Sequence, residues 1–531
     1  MAILKAGQAK YPFWGMSLNY ITGLDPLGLQ TTSEATYSYL LPGISNLTNR
    51  MRYYGFYCWL LNLYANRQKK VSKQDQFRFL RRGEFLASVI MASESPATPQ
   101  ITGSNFTKPL VLAPGGTISL SDGADQEEGK TTYWKFPSGA FGQYYLGPLM
   151  ALGWVVSVSS TEDVNDFIYK ATPDKEGVEI SGHKMGVVFG QNIPKKAEDL
   201  FYNAVITGSV SKKEVRYLYD YFYLNRVDTE SEEWESYHKV LVGRDYPLEV
   251  DETKFTYHRH NTIQDLMRFC NSENDRQWDW VAYLEHVYQQ KPISDDGIEE
   301  TRTGWYHYQL NEYWHYAAGT IFWSMLVELR NRVHDQPLIP FTQEFADLSL
   351  KAIKVTDKEA TKARSFRGVI DGLSSHQEFE LINETAETIK EGNHVKALGL
   401  GWLLLFTIMK NNEKQLRELD LFAEHRGITR DGSVTEMFLA LFDQGQKTLK
   451  EFLHDFLLRH IINRHQYVAL RKMGNGTTCT FKFLVEERYI RFREVFAPRF
   501  TSPRLNALTN LLFDLGVIDE ENSVTEISKT F

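Results

Sequence analysis

The chain has 531 residues, 42% of them hydrophobic and 24% charged, with 28 Tyr, 32 Phe and 11 Trp. At roughly 150 residues per domain this length calls for about three or four cores, and the aromatic richness argues against extended disorder. Three widely separated cysteines, Cys58, Cys270 and Cys479, exclude a disulfide framework and a cysteine-based zinc site.

The first fourteen residues lack a continuous apolar segment and meet Pro12 early, unlike a secretion signal. The longest apolar run, Ala397 to Met409, falls short of the ~20 residues that span a bilayer. No membrane partner is expected, and a reducing cytoplasm is the expected compartment.

The net charge of −8 conceals segregation. From Arg50 to Arg82, nine cations face Asp75 alone; from Arg459 to Arg504, ten face Glu486, Glu487 and Glu494. Clustered cations concentrate field where scattered ones cancel, so the two islands point to an anionic partner or to faces neutralised by acidic neighbours.

In chain order, Pro26, Gly28, Pro42 and Gly43 mark 26–43 as a loop. Ser45 or Asn46 then caps a helix to about Asn66, and a second helix covers Lys73 to Ala92. The segment SESPATPQ breaks it, and a Gly-rich, strand-prone stretch follows through Thr132. A helix over Ala140 to Leu152 ends on Gly153 and passes into a β-branched strand, as Pro503 to Leu515 does at Gly516. After the first, 166–170 and the turn 172–177 resemble a second wing strand and its closing turn; after the second, 517–527 makes a short hairpin.

Between these lie helices over Lys196 to Thr207 and Ser211 to Phe222, the latter opening on the capping signal Ser211-Lys-Lys-Glu214. Linkers fit 228–235 and 293–304, and long helices fit 305–333, 392–412 and 446–466. Strands over Thr478 to Val485 and Tyr489 to Arg493 follow, and no fixed-period repeat is present. The expected fold class is mainly α and multidomain, with short β-hairpins of winged-helix type near residues 150–180 and 478–530. The expected domains are 1–185, 186–300, 301–425 and 426–531.

Projected at 100° per residue, the 46–66 helix shows three apolar or aromatic stripes, so it is buried on nearly every side. Arg50 and Arg52 sit about 200° apart on that wheel and cannot serve one compact anion site. Each is expected as a structural buried cation with its own partner. The nucleic-acid candidates lie outside this helix: Arg78, Arg81 and Arg82 on the next helix, and Lys472, Arg491, Arg493 and Arg504 in the second island. Strand alternation puts Arg491 and Arg493 on one face, where cations can track phosphates without reading bases; a solvated outer sheet face fits equally well.

Glu312-Tyr-Trp-His315 and Glu235 to His238 share the Glu-x-x-His spacing of di-iron bundles, but spacing identifies no further carboxylates for them. A satisfied polar pair inside an aromatic core is the stronger account of Glu312 and His315. His258-Arg259-His260-Asn261 reads as a loop, and Asp371 with Glu378 and Glu380 lacks a catalytic lysine. No phosphate loop, nucleophile elbow or His-Glu-x-x-His motif occurs, and no cofactor is expected.

Asp25-Pro-Leu-Gly-Leu-Gln30, Leu40-Leu-Pro-Gly-Ile-Ser-Asn46, Thr48, Arg50, Arg52-Tyr-Tyr and Phe56-Tyr-Cys-Trp-Leu-Leu61 together resemble the amino-terminal signature of uncharacterised bacterial proteins of anti-phage defence loci. The resemblance covers about the first 65 residues, with a looser echo in His465 to Leu470 and Arg504 to Ile518. It implies a bacterial cytoplasmic partner of other defence proteins and brings no catalytic residue. The leading expectation is a non-enzymatic, nucleic-acid-associated subunit of such a system. The alternatives are a protein-interaction scaffold without direct DNA contact and a metal-dependent enzyme centred on Glu312 and His315.

Overall fold

Apolar and aromatic side chains at helical spacing dominate the chain, and helices dominate the computed structural model, which describes residues 19–20, 25–68, 71–94, 101–126, 132, 134–159, 166–242, 257–272, 277–473 and 478–527. The amino-terminal stretch weighed as a secretion signal, Lys69 and Lys70 of the first cationic island, and most of SESPATPQ lie outside the described residues. No helix among the described residues is long and apolar enough to cross a membrane. The chain divides into two units, each built from two separated stretches: residues 1–35 with 307–501, and residues 36–306 with 502–531. This partition is discontinuous, unlike the four successive domains expected from sequence.

The second unit, 36–306 with 502–531, forms around the helix Arg52–Arg67, buried on every side from Arg52 to Leu61. Helix Gly182–Gly190 crosses it closely because Gly186 has no side chain: a Cβ there would stand 2.8 Å from the Cys58 backbone. Helix Lys73–Glu94 also packs on it, with Gly83 against Leu60. The π-helical turn Phe141–Tyr145 leads into Leu146–Ala151. Gly153, at φ +70°, then turns the chain into the antiparallel hairpin Val155–Ser159 and Phe167–Ala171, with Val155 opposite Ala171. Gly516, also at φ +70°, ends Leu505–Asp514, and beyond it a single bridge joins Ile518 to Val524.

The first unit, 1–35 with 307–501, is centred on His394–Asn412, buried continuously from Ala397 to Met409. Leu338–Thr356 crosses it closely at Gly399, where a Cβ would meet the Ala352 carbonyl oxygen at 2.7 Å. Phe366 and Phe452 stack at 3.6 Å between ring centroids, and Phe452, Phe456, Trp402 and Phe406 extend the aromatic core. A small antiparallel sheet runs Gln336–Pro337, Tyr489–Phe492, Phe483–Glu486.

Several sequence expectations change. Most of the 26–43 loop is the helix Gln30–Leu40, whose start is held by Asp25 accepting from the Leu29 and Gln30 amides at 3.1 Å. The supposed linker 228–235 enters the helix Glu232–Leu241, and 293–304 enters the long helix Gly297–Arg330. The 258–261 loop is the first turn of Tyr257–Ser272. The strand-prone stretch contains the helix Ser104–Leu112 and one short strand, Thr117–Ser119. Polar composition suggested loops in the linker and 258–261 stretches, but burial of their alternate faces makes them helical.

Candidate functional site

On Lys73–Glu94, spacing brings Arg78, Arg81 and Arg82 near one another, but the helix turns two of them into the second unit. Arg81 is buried and donates to the carbonyls of Ala124, at 2.7 Å, and Pro137. Arg82 forks onto Asp125 at 2.8 and 2.6 Å and donates to the carbonyls of Val205 and Ile206. Arg78 is exposed, 3.5 Å from Asp75. Arg81 and Arg82 therefore bind their own chain where the sequence reading had them facing phosphate. A guanidinium presents five fixed donors, and the carbonyls that face these two are invisible in sequence.

The second island is spread differently. In the first unit, the Lys472 ammonium bonds the Asp25 carbonyl oxygen at 2.5 Å. Arg491 is exposed on the strand Tyr489–Phe492, and Arg493, also exposed, lies just past the end of that strand, which is shorter than the expected Tyr489 to Arg493. Arg491 lies 2.8 Å from Asp335 and 3.4 Å from Glu486. Beside it opens a depression of about 1000 Å³ lined also by Glu487, Val333 and Tyr489. Two carboxylates against this arginine and a third on the same lining make that wall a poor match for phosphate. Val333 is 88% exposed and Tyr489 is 49% exposed.

In the second unit, Arg50 and Arg52 reach separate carboxylates. Arg50 pairs with Asp514 at 2.5 Å, and Asp514 also accepts from the Met51 amide. Arg52 forks onto Glu233 at 2.9 and 3.0 Å, with Phe189 and Tyr223 against its guanidinium. Burial pushes the Asp514 carboxyl up to about 6, against the pull of Arg50. Glu84 accepts from Trp134 Nε1, at 2.7 Å, and from the Ala140 and Phe141 amides, so it caps the helical segment that begins there. Burial drives Glu84 up to about 7, although these three donors favour its charged form.

In the first unit, Glu312 and His315 are both buried. Glu312 Oε2 accepts from the Thr501 amide at 2.6 Å, and Gln30 Nε2 donates to His315 Nε2 at 3.3 Å. Glu312 Oε1 and His315 Nδ1 find no partner among the described residues. No group of three or more His, Cys, Asp or Glu side chains among those residues is placed to hold a metal ion.

The last candidate, Arg504, borders a cavity of about 390 Å³ in the second unit. Its walls are the 42–45 loop, Ser38 and Tyr39 at the end of Gln30–Leu40, and Gly147, Pro148 and Ala151 of Leu146–Ala151. The loop is held from behind. Buried Arg259 donates to the Pro42 carbonyl, Tyr54 Oη donates to that of Gly43 at 2.8 Å, and the Ser45 amide donates to Thr48 Oγ1. Gly43 sits at φ +78°, and a Cβ there would collide with Leu152 at 2.6 Å. Arg504 itself holds φ +65°, its amide donating to Asn46 Oδ1 and its guanidinium to Ser38 Oγ at 2.8 Å over the Tyr37 ring.

The fold and these sites define a mainly helical protein with buried ion pairs and a walled cavity beside Arg504. Comparison with protein-family models, curated proteins and solved structures returned no match. Arg259 falls in a stretch that reads as a loop, and no local pattern marks Glu84, so neither is legible as a structural centre in the sequence. Of the cavity, the Pro42-Gly43 pair is the one legible trace.

Proposed function

We propose that the chain is a non-enzymatic interaction subunit, an adaptor that docks other proteins of a bacterial anti-phage defence system in the cytoplasm. The observation that carries this reading is the wall around Arg491, where Asp335 and Glu486 pair with the cation, Glu487 lines the same depression, and Val333 and Tyr489 stand out into solvent. Exposed apolar and aromatic groups rimmed by mixed charge suit a protein surface better than a phosphate backbone. The test compares the full chain with Val333→Asp/Tyr489→Ala after co-expression with the proteins encoded beside it. The double variant loses a co-purifying partner while its thermal unfolding is unchanged. Retention of every partner by that variant, together with salt-sensitive DNA binding by the wild type, overturns the adaptor reading.

A second reading, association with DNA or another nucleic acid, draws on one helix. Arg464–Lys472 exposes Tyr467, Leu470, Arg471 and Lys472, with Arg471 5.7 Å from the Tyr467 ring centroid. An aromatic ring beside cations suits stacking on a single strand. The winged-helix interpretation of the two hairpins belongs to this reading. It predicts fluorescence-anisotropy binding of single-stranded DNA that falls steeply with salt and is lost in Tyr467→Ala/Arg471→Ala/Lys472→Ala; binding unchanged in that variant removes the helix from consideration.

A further inference from the structure

We infer that the Arg504 cavity is a binding site for a small apolar carboxylate: a compact hydrocarbon or aromatic body that ends in a single negative group. The inference is independent of the adaptor reading. At about 390 Å³ the cavity is of a size that holds small ligands, equal to about a dozen waters at ~30 Å³ each. Ile44, Pro42, Pro148, Ala151 and the Tyr39 ring supply an apolar wall for the body of the ligand. Arg504 supplies the positive charge, with the Ser38 hydroxyl beside it accepting from its guanidinium.

The sign and the amount of charge both follow from the surroundings. Arg504 is the one cationic residue lining the cavity among the described residues, and it occupies the N-cap position of Leu505–Asp514, where the helix dipole adds positive potential. Behind the opposite wall, Tyr39 donates its hydroxyl to Glu300, which is buried, at 3.0 Å. A single cation on the lining matches a ligand with a single negative group. Tyr39 thus offers its ring, since its hydroxyl is already committed.

Two features show a prepared site. The loop wall is fixed by Arg259, Tyr54 and Thr48 before any ligand enters, which lowers the ordering cost of binding. Arg504 adopts a left-handed backbone that residues other than glycine rarely take. Strain of this kind persists where the surroundings over-determine it, and here it aims a guanidinium at a cavity wall.

The test is calorimetric titration of the full chain with 3-phenylpropionate, hexanoate and the neutral 3-phenylpropionamide. A short peptide ending in Phe, with free or amidated carboxyl, distinguishes a free acid from a chain end as the source of the same chemistry. Binding of at least one acid, with the amide and Arg504→Gln each about tenfold weaker or more, is expected for loss of a charge-assisted contact. Gly147 lines the cavity and a Cβ there meets no atom within 4 Å, so Gly147→Leu has room at its Cβ, and it is expected to narrow the space and weaken binding at least tenfold, with thermal unfolding measured alongside to show that the fold is kept. Failure of both acids and of the free-carboxyl peptide to bind, equal binding of acid and amide, or undiminished binding by Gly147→Leu overturns the proposal.

Discussion

The Arg52–Arg67 helix of the second unit and the His394–Asn412 helix of the first are both buried over most of their length, but they are held by different forces. The former begins with a guanidinium, and the turn before it carries another; each ends on a carboxylate far away in sequence, Arg50 on Asp514 and Arg52 on Glu233. The latter is apolar from Ala397 to Leu405 and lies in a nest of aromatic rings. Apolar packing is non-directional and tolerates small shifts, whereas a buried ion pair demands one partner in one geometry. The Arg52–Arg67 helix therefore adds directional pairs with distant segments to its aromatic packing, whereas the His394–Asn412 helix is gathered mainly by apolar area.

Breaking a pair should give the largest effect. Arg52→Ala leaves Glu233 buried without its cation and destabilises the second unit by about 3–5 kcal/mol, read from urea unfolding. Replacing both partners, as Arg52→Met/Glu233→Leu, costs far less, because the burial penalty of both charges disappears. A double variant as unstable as the single one would show that the guanidinium matters for more than its charge.

The most deeply buried carboxyls of the second unit and the most deeply buried histidines of the first titrate in opposite directions. Glu84 and Asp514, in the second unit, are raised by burial to about 7 and about 6, so each prefers its neutral form when folded. Their contribution is complete below the unfolded carboxyl range and is lost as pH rises through about 6 to 7. In the first unit, burial pushes His307, His460 and His465 down to about 4. His465 is fixed as a neutral tautomer: the Lys482 amide donates to its Nε2, and its Nδ1–H donates to the Pro26 carbonyl at 2.9 Å. Stability from these histidines is complete above about 6.5 and falls as pH drops toward 4. Hydrogen exchange corrected for intrinsic rates should show protection in the second unit decreasing between pH 5 and 7 while protection in the first unit increases. Parallel profiles would remove the contrast.

The smallest effect belongs to the surface. Arg491→Ala removes exposed contacts to Asp335 and Glu486, which solvent screens, and shifts the unfolding midpoint only slightly, a change that differential scanning calorimetry resolves as small beside that of Arg52→Ala.

Periodicity and end signals were readable where they are local. The Ser211 to Glu214 capping box forms with both reciprocal bonds, and Gly153 and Gly516 both adopt the left-handed exit their position called for. Near-complete burial of the 52–67 helix was also readable, because all three of its stripes are apolar. The facing of a cation was not. Arg78, Arg81 and Arg82 look alike as sequence, but only Arg78 is exposed, because carbonyls of Ala124, Pro137, Val205 and Ile206 converge on the other two. Glu233 was unreadable for the same reason, lying in an acidic stretch that resembles a linker.

Taken by itself, the amino-acid sequence determined what depends on neighbours within about four positions: helices, their caps, their glycine exits and the apolar stripes that demand burial. The tertiary structure alone decided which charges are consumed and which are presented, because a guanidinium's role depends on carbonyls and carboxylates brought to it from tens or hundreds of residues away. The Arg504 cavity has the same origin. Its loop wall, its helical wall and its arginine come from three stretches that no local pattern connects.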